Sequence, residues 1–184
     1  VLVGMNALHK LRAWIKIPET YLRYAEEDVP FLIEGGTARG RGRGELLERL
    51  PFWNECFVVL DTPPIAISAR DAYDWARIGL TEGDLFTRLN CSGIQERWAD
   101  FSRAPLFNDL EPGVVAAHPE VEAARAALLK AGALRARMSG SGPTVFGLAG
   151  SKEEAERIVS RLGARDWTIH VVEPIDAGSL VTGV

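Results

Sequence analysis

Residues 134–148 read Leu134-Arg135-Ala136-Arg137-Met138-Ser139-Gly140-Ser141-Gly142-Pro143-Thr144-Val145-Phe146-Gly147-Leu148. Leu134, Ala136 and Met138 alternate with Arg135 and Arg137, which is the two-residue period of a strand. From Thr144 to Leu148 the chain is rich in β-branched and aromatic residues, which predicts a second strand. Between them stand Ser139, Gly140, Ser141 and Gly142. Glycine admits positive φ and lets another group come close to the backbone. Successive N–H groups in such a turn can cradle an anion. One reading is a loop that touches a phosphate; the other is a plain hairpin turn. A motif this short does not choose between them.

The neighbouring elements supply the frame. Upstream, Cys56 to Leu60 is an apolar run read as a strand buried on both faces. Ser68 can cap a helix over 69–78 by accepting an orphan backbone N–H. A further helix is predicted over 94–101, and 108–112 reads as a compact polar stretch. Pro119 starts a helix with Val121, Ala124, Leu128 and Leu129 on one face, and Gly132 ends it. Downstream, Ser151 caps another helix with Glu153 and Glu154 in its first turn, where the dipole favours negative charge. Residues 167–172 are the last strand. The order is strand, helices, strand, strand, helix, strand. That is an α+β, ferredoxin-like split βαβ fold with an insertion, assigned to residues 51–184. Its helices should cover one face of an antiparallel sheet. Residues 1–50 stand apart and read as the tail of another domain. They hold helices over 2–15 and 19–26, a short strand at 31–33 and the TARGRGRGE run of 37–45.

Composition narrows the class. The chain has 184 residues, 47% hydrophobic and 25% charged, with a net charge of −4. That balance gives no general polyanion-binding character. Arg39, Arg41 and Arg43 alternate with glycine and could be an RNA-binding tract, but three arginines on a hairpin also make one solvated face. The expectation is no nucleic acid. Cys56 and Cys91 have no metal-ligand spacing and make no disulfide framework. His9, His118 and His170 have no partner at metal spacing, so no metal site is expected in the protein itself. No apolar run approaches the roughly 20 residues that span a bilayer, and no secretory signal pattern is present. A reducing, cytoplasmic setting away from membranes is expected. The chain begins Val1-Leu2-Val3-Gly4 with no cap before the 2–15 helix, so the natural start is expected to lie upstream.

Three stretches together carry a resemblance. Asp28-Val29-Pro30-Phe31-Leu32-Ile33-Glu34-Gly35-Gly36-Thr37-Ala38 runs on into Gly40-Arg41-Gly42-Arg43-Gly44-Glu45. Asn108-Asp109-Leu110-Glu111-Pro112 is followed by His118-Pro119-Glu120. The third is the 136–146 segment around Ser139-Gly140-Ser141-Gly142. In this order they resemble the 4-diphosphocytidyl-2-C-methyl-D-erythritol kinase family of the galactokinase–homoserine kinase–mevalonate kinase–phosphomevalonate kinase (GHMP) superfamily. The resemblance covers residues 1–162.

It implies transfer of the ATP γ-phosphate, with Mg2+, to the 2-hydroxyl of a methylerythritol cytidyl diphosphate in isoprenoid precursor synthesis. Such chemistry rests on positioning and charge neutralisation. Asp28 matches the family's catalytic aspartate, which would orient the hydroxyl and accept its proton; by residue type alone it is a turn residue before Val-Pro. Ser139, Gly140, Ser141 and Gly142 match the loop that, in the superfamily, lies against the substrate phosphates and completes the nucleotide site. Tyr73 matches an aromatic position beside the substrate's cytosine, the alternative being core packing on its helix. Ala69 sits at a substrate-contacting position where the family often has Thr after Ser.

The family's glycine-rich phosphate loop and N-terminal lysine are not among these residues. The 184 residues alone are therefore expected to be inactive, with a missing N-terminal half or a second copy as partner. The competing readings are a non-catalytic ferredoxin-like ligand sensor and another GHMP kinase of mevalonate or homoserine type.

Overall fold

A computed structural model describes residues 36–41, 46–49, 56–76 and 106–174. Asp28, the helices expected at 2–15, 19–26 and 94–101, and the strand expected at 31–33 lie outside the described residues. The chain divides into two compact units, one of residues 55–172 and one of residues 1–54 with 173–184.

In the smaller unit, β1 (Ala38–Arg41) and β2 (Leu46–Arg49) pair antiparallel, with Ala38 opposite Arg49 and Arg41 opposite Leu46. The division of the sequence at residues 50 and 51 assigns no strand just before it; the structure places the return strand of a hairpin at Leu46–Arg49. The signal is weak because this strand is short and the pattern Leu-Leu-Glu-Arg has no two-residue alternation.

The larger unit contains β3 (Phe57–Thr62), α1 (Ala69–Ala76), α2 (Glu111–Ala117), α3 (Pro119–Ala131), β4 (Arg135–Met138), β5 (Val145–Ala149), α4 (Lys152–Leu162) and β6 (Thr168–Val172). Among the described residues its sheet has the order β4-β5-β3-β6, with every neighbouring pair antiparallel. The two middle strands are the first and third in chain order, and the fourth lies on the outer edge. This is the split βαβ, ferredoxin-like arrangement expected.

The core lies between the sheet and the helices. Val59, Val145, Ala136 and Met138 from the strands meet Val121, Ala124 and Leu128 of α3 and Ala155 and Ile158 of α4. The spacing of Val121, Ala124 and Leu128 puts all three on one side of the helix, and they are buried; Leu129 is 39% exposed. Local signals act as read: Gly132 closes α3 in the left-handed region, at φ 111°, and the Ser151 hydroxyl accepts the Glu154 N–H at 3.2 Å. The Ser68 hydroxyl likewise accepts the Asp71 N–H at 3.1 Å before α1.

Helix α2 goes beyond the residue-by-residue reading, which has only a compact polar stretch at 108–112. Pro112 is tolerated because it stands in the first turn, where its missing N–H has no helical partner to lose. Gly113 is required by packing: a Cβ there would stand 2.6 Å from backbone atoms of Trp75 and Ala76. The composition that hides this helix from propensity reasoning is what lets it seat against α1. No helix of the described residues is long and apolar enough to cross a membrane.

Candidate functional site at the 139–142 loop

The loop joins β4 to β5. Its closure is local: Ser139 N–H donates to Thr144 C=O at 2.8 Å and Gly142 N–H to Ser139 C=O at 2.9 Å. Gly140 and Gly142 both have positive φ, 54° and 83°, and the Gly142–Pro143 peptide is cis. The two glycines serve different ends. A Cβ at Gly142 would stand 2.8 Å from Met138 Sδ, whereas a Cβ at Gly140 would meet nothing within 4 Å. Gly142 is thus packed from inside and Gly140 faces open space. Among the described residues the N–H groups of Gly140 and Ser141 have no hydrogen-bond partner.

Asn108 and Glu111 grip the loop from outside the hairpin. Asn108 Nδ2 donates to Met138 C=O at 2.9 Å and to Gly140 C=O at 2.8 Å. Its Oδ1 accepts the Leu110 N–H at 3.0 Å, which ties the grip to the start of α2. Glu111, 7% exposed, accepts the Met138 N–H on Oε2 at 2.8 Å and the Arg137 Nη1 donor on Oε1 at 2.9 Å. Arg125 Nε stands 4.0 Å from the same oxygen. Met138 lies on β4, an outer strand of the sheet. Two side chains therefore take the backbone groups that an edge strand would otherwise offer to another chain. Neither Asn108 nor Glu111 is among the site residues read from the sequence. The signal was present in Asn-Asp-Leu-Glu-Pro, yet nothing in a linear pattern says which loop a polar side chain will hold.

The turn from β3 to α1 borders the same place. Thr62 and Thr144 hydroxyls are 3.0 Å apart, and Ile67 Cδ1 would stand 3.6 Å from a Cβ at Gly142. Ala69 is the exposed first residue of α1. Tyr73, one helical turn on, is 58% exposed, so core packing does not account for it. Asp28 lies outside the described residues, as do the Arg43 and Glu45 positions of the RGRG run.

A second charged feature sits deeper. Asp61 on β3 is fully buried and its Oδ2 lies 2.7 Å from Arg165 Nη2, while the Arg165 guanidinium stacks 4.7 Å above the Trp167 ring. The Asp61 oxygens have no hydrogen-bond partner of good angle among the described residues, so the contact is ionic. Burial pushes the Asp61 carboxyl up to about 6, against the opposing pull of Arg165. Burial also raises the Cys56 thiol to about 11, which makes it an inert core group. His118 packs against Trp75 with ring centres 5.1 Å apart. Among the described residues no group of three or more His, Cys, Asp or Glu could hold a metal ion.

Residues 92–167 match the GHMP kinases C-terminal family. A 4-diphosphocytidyl-2-C-methyl-D-erythritol kinase of Pelotomaculum thermopropionicum is 40% identical over 157 residues, 84% of this chain and 55% of that protein. One of Gloeobacter violaceus is 38% identical over 188 residues, 98% of this chain and 62% of that protein. The chain thus spans somewhat more than half the length of these relatives. Among solved structures, a 4-(cytidine 5'-diphospho)-2C-methyl-D-erythritol kinase superposes with a TM-score of 0.60 at 28% identity, over 80% of this chain and 54% of that one. The homoserine kinase of Cytophaga hutchinsonii superposes with a TM-score of 0.61 at 22% identity, over 81% and 50%, a likeness of fold.

Proposed function

We propose, from the premise that this chain carries a GHMP kinase C-terminal domain, that it works in a kinase acting on 4-diphosphocytidyl-2-C-methyl-D-erythritol. The γ-phosphate of ATP passes to the 2-hydroxyl of that substrate, a step in isoprenoid precursor synthesis. The observation that carries the reading is the 139–142 loop. It has two N–H groups without partners among the described residues and an open face at Gly140. Backbone donors with no side chain in the way suit a phosphate oxygen. Relatives of 40% and 38% identity bearing that kinase name support the substrate class.

In this reading Ser139, Gly140, Ser141 and Gly142 receive phosphate, and the two serine hydroxyls add donors. Phosphoryl transfer needs charge neutralised and oxygens held in line more than it needs covalent help. Asp28 accepts the proton of the attacking hydroxyl. Tyr73 offers an exposed ring on which a cytosine could stack, with Ala69 one turn before it. Mg2+ would arrive on the nucleotide phosphates and would supply charge neutralisation there.

The test is an assay of the full-length protein with ATP and the cytidyl substrate, following ADP and the phosphorylated product. One ADP per product is expected, with no turnover of homoserine or mevalonate. Turnover of either in place of the cytidyl substrate, or no ADP release at all, overturns the proposal.

A further inference from the structure

Resting on that reading, we infer that Asn108 is a positioning residue that sets the orientation of the Gly140–Ser141 peptide and thereby aims the Ser141 N–H at the phosphate. The argument is geometric. A trans peptide is planar, with its C=O and N–H pointing in opposite directions. Asn108 Nδ2 holds Gly140 C=O at 2.8 Å, so the N–H of the same peptide, which belongs to Ser141, points away from Asn108. The second proton of the same amide holds Met138 C=O at 2.9 Å. The N–H of that peptide belongs to Ser139, and it points the other way, into Thr144 C=O. One side chain thus fixes two alternate peptides of the loop.

Glycine at position 140 makes this control necessary. With φ at 54° and no Cβ contact within 4 Å, the 140–141 peptide has no other hydrogen bond to hold it among the described residues. A turned peptide would present a carbonyl oxygen to the phosphate in place of a donor. Asn108 is itself held by the Leu110 N–H on Oδ1, and Glu111 holds Met138 N–H on the same edge. The start of α2 is therefore a brace for the loop as well as a packing element.

Two substitutions separate this role from a structural one. Asn108→Asp keeps the acceptor for Leu110 N–H and loses both donated bonds. Asn108→Ala loses all three without adding charge. The full-length protein and both variants are titrated with a non-hydrolysable ATP analogue and Mg2+, at low and at high salt, well below each thermal midpoint. Both variants are expected to bind the analogue at least about tenfold more weakly, with the ratio to unmutated protein preserved at high salt. Variants that bind as tightly as the unmutated protein, whatever their thermal midpoints, overturn the assignment. So does a weakening confined to Asn108→Asp that vanishes at high salt, which is charge repulsion. If Asn108→Ala does not fold, Asn108→Asp with its salt series decides alone. No analogue binding by the unmutated protein overturns the proposed function, and this assignment with it.

Discussion

Met138 N–H donates to the Glu111 carboxylate at 2.8 Å, across 27 positions of chain and inside the protein. That bond joins the helix that follows Asn108 to the strand that leads into the glycine loop. Glu111 also neutralises Arg137 at 2.9 Å. The carboxylate is thus a junction between a polar turn and a sheet edge, at the foot of the candidate site.

Removing that junction should cost stability. Glu111→Ala leaves a buried N–H without an acceptor and takes the partner from Arg137. An unsatisfied buried donor costs about 1–3 kcal/mol, so the expected loss is about 2–3 kcal/mol. Glu111→Gln keeps an acceptor for Met138 and should lose less. Urea denaturation of both variants checks the order; a Glu111→Ala protein as stable as the parent would contradict it.

Gly140 and Gly142 should respond differently. Gly140→Val meets open space and costs only the strain of a side chain at positive φ, about 1–2 kcal/mol. In the full-length protein kcat/KM for ATP should still fall at least about tenfold, because the side chain fills the phosphate's approach. Gly142→Ala sets a Cβ 2.8 Å from Met138 Sδ and should destabilise the fold more than Gly140→Val does. Thermal midpoints and ATP kinetics measured on the same two variants separate the effects.

Asp61 should make stability depend on pH in a known direction. Its carboxyl titrates near 6 in the folded protein and at 3.8 ordinarily. The folded state therefore holds the proton more tightly. The stabilisation is full below about pH 4 and is lost as pH rises through about 6. Two units correspond to about 3 kcal/mol at most. Asp61→Asn removes this dependence, so the variant should gain on the parent between pH 4 and pH 6.5. Denaturation at those two pH values checks it; a constant difference between the proteins would mean that Asp61 does not titrate in this window.

Asp28→Asn keeps the shape of the side chain and removes the carboxylate that the proposed function uses as proton acceptor. In the full-length protein kcat should drop by about 10² or more, the scale of a lost general base, with little change in KM for the cytidyl substrate. An unchanged kcat with a collapsed affinity would make Asp28 a binding or structural residue. Steady-state kinetics with both substrates varied gives the split.

Much of the larger unit was legible because its signals are local. The alternation around Ala136 and Met138, the glycine after Ala131 and the Ser151 cap each depend on residues within a few positions of one another, and each appears as read. Helix α2 was not legible. Pro112 and Gly113 argue against a helix in isolation, and only the backbone of Trp75 and Ala76, close against Gly113, explains why they are there. For Tyr73 the helical position was readable but the exposure was not, since burial depends on what packs above the ring.

The sequence by itself determined the ferredoxin-like order of elements, because strand period, helix caps and glycine stops are properties of short stretches of chain. It also marked the 139–142 loop, since two glycines and two small hydroxyl residues between strands punctuate the chain as a turn. Only the tertiary structure decided which face of that loop stays open and what holds it. Asn108 and Glu111 reach Gly140 and Met138 from some thirty positions away, and Asp61 on β3 meets Arg165, which lies far along the chain just before the neighbouring strand β6. A hydrogen bond needs donor and acceptor within about 3 Å, and that proximity arises only when β4, β5 and the start of α2 are packed together.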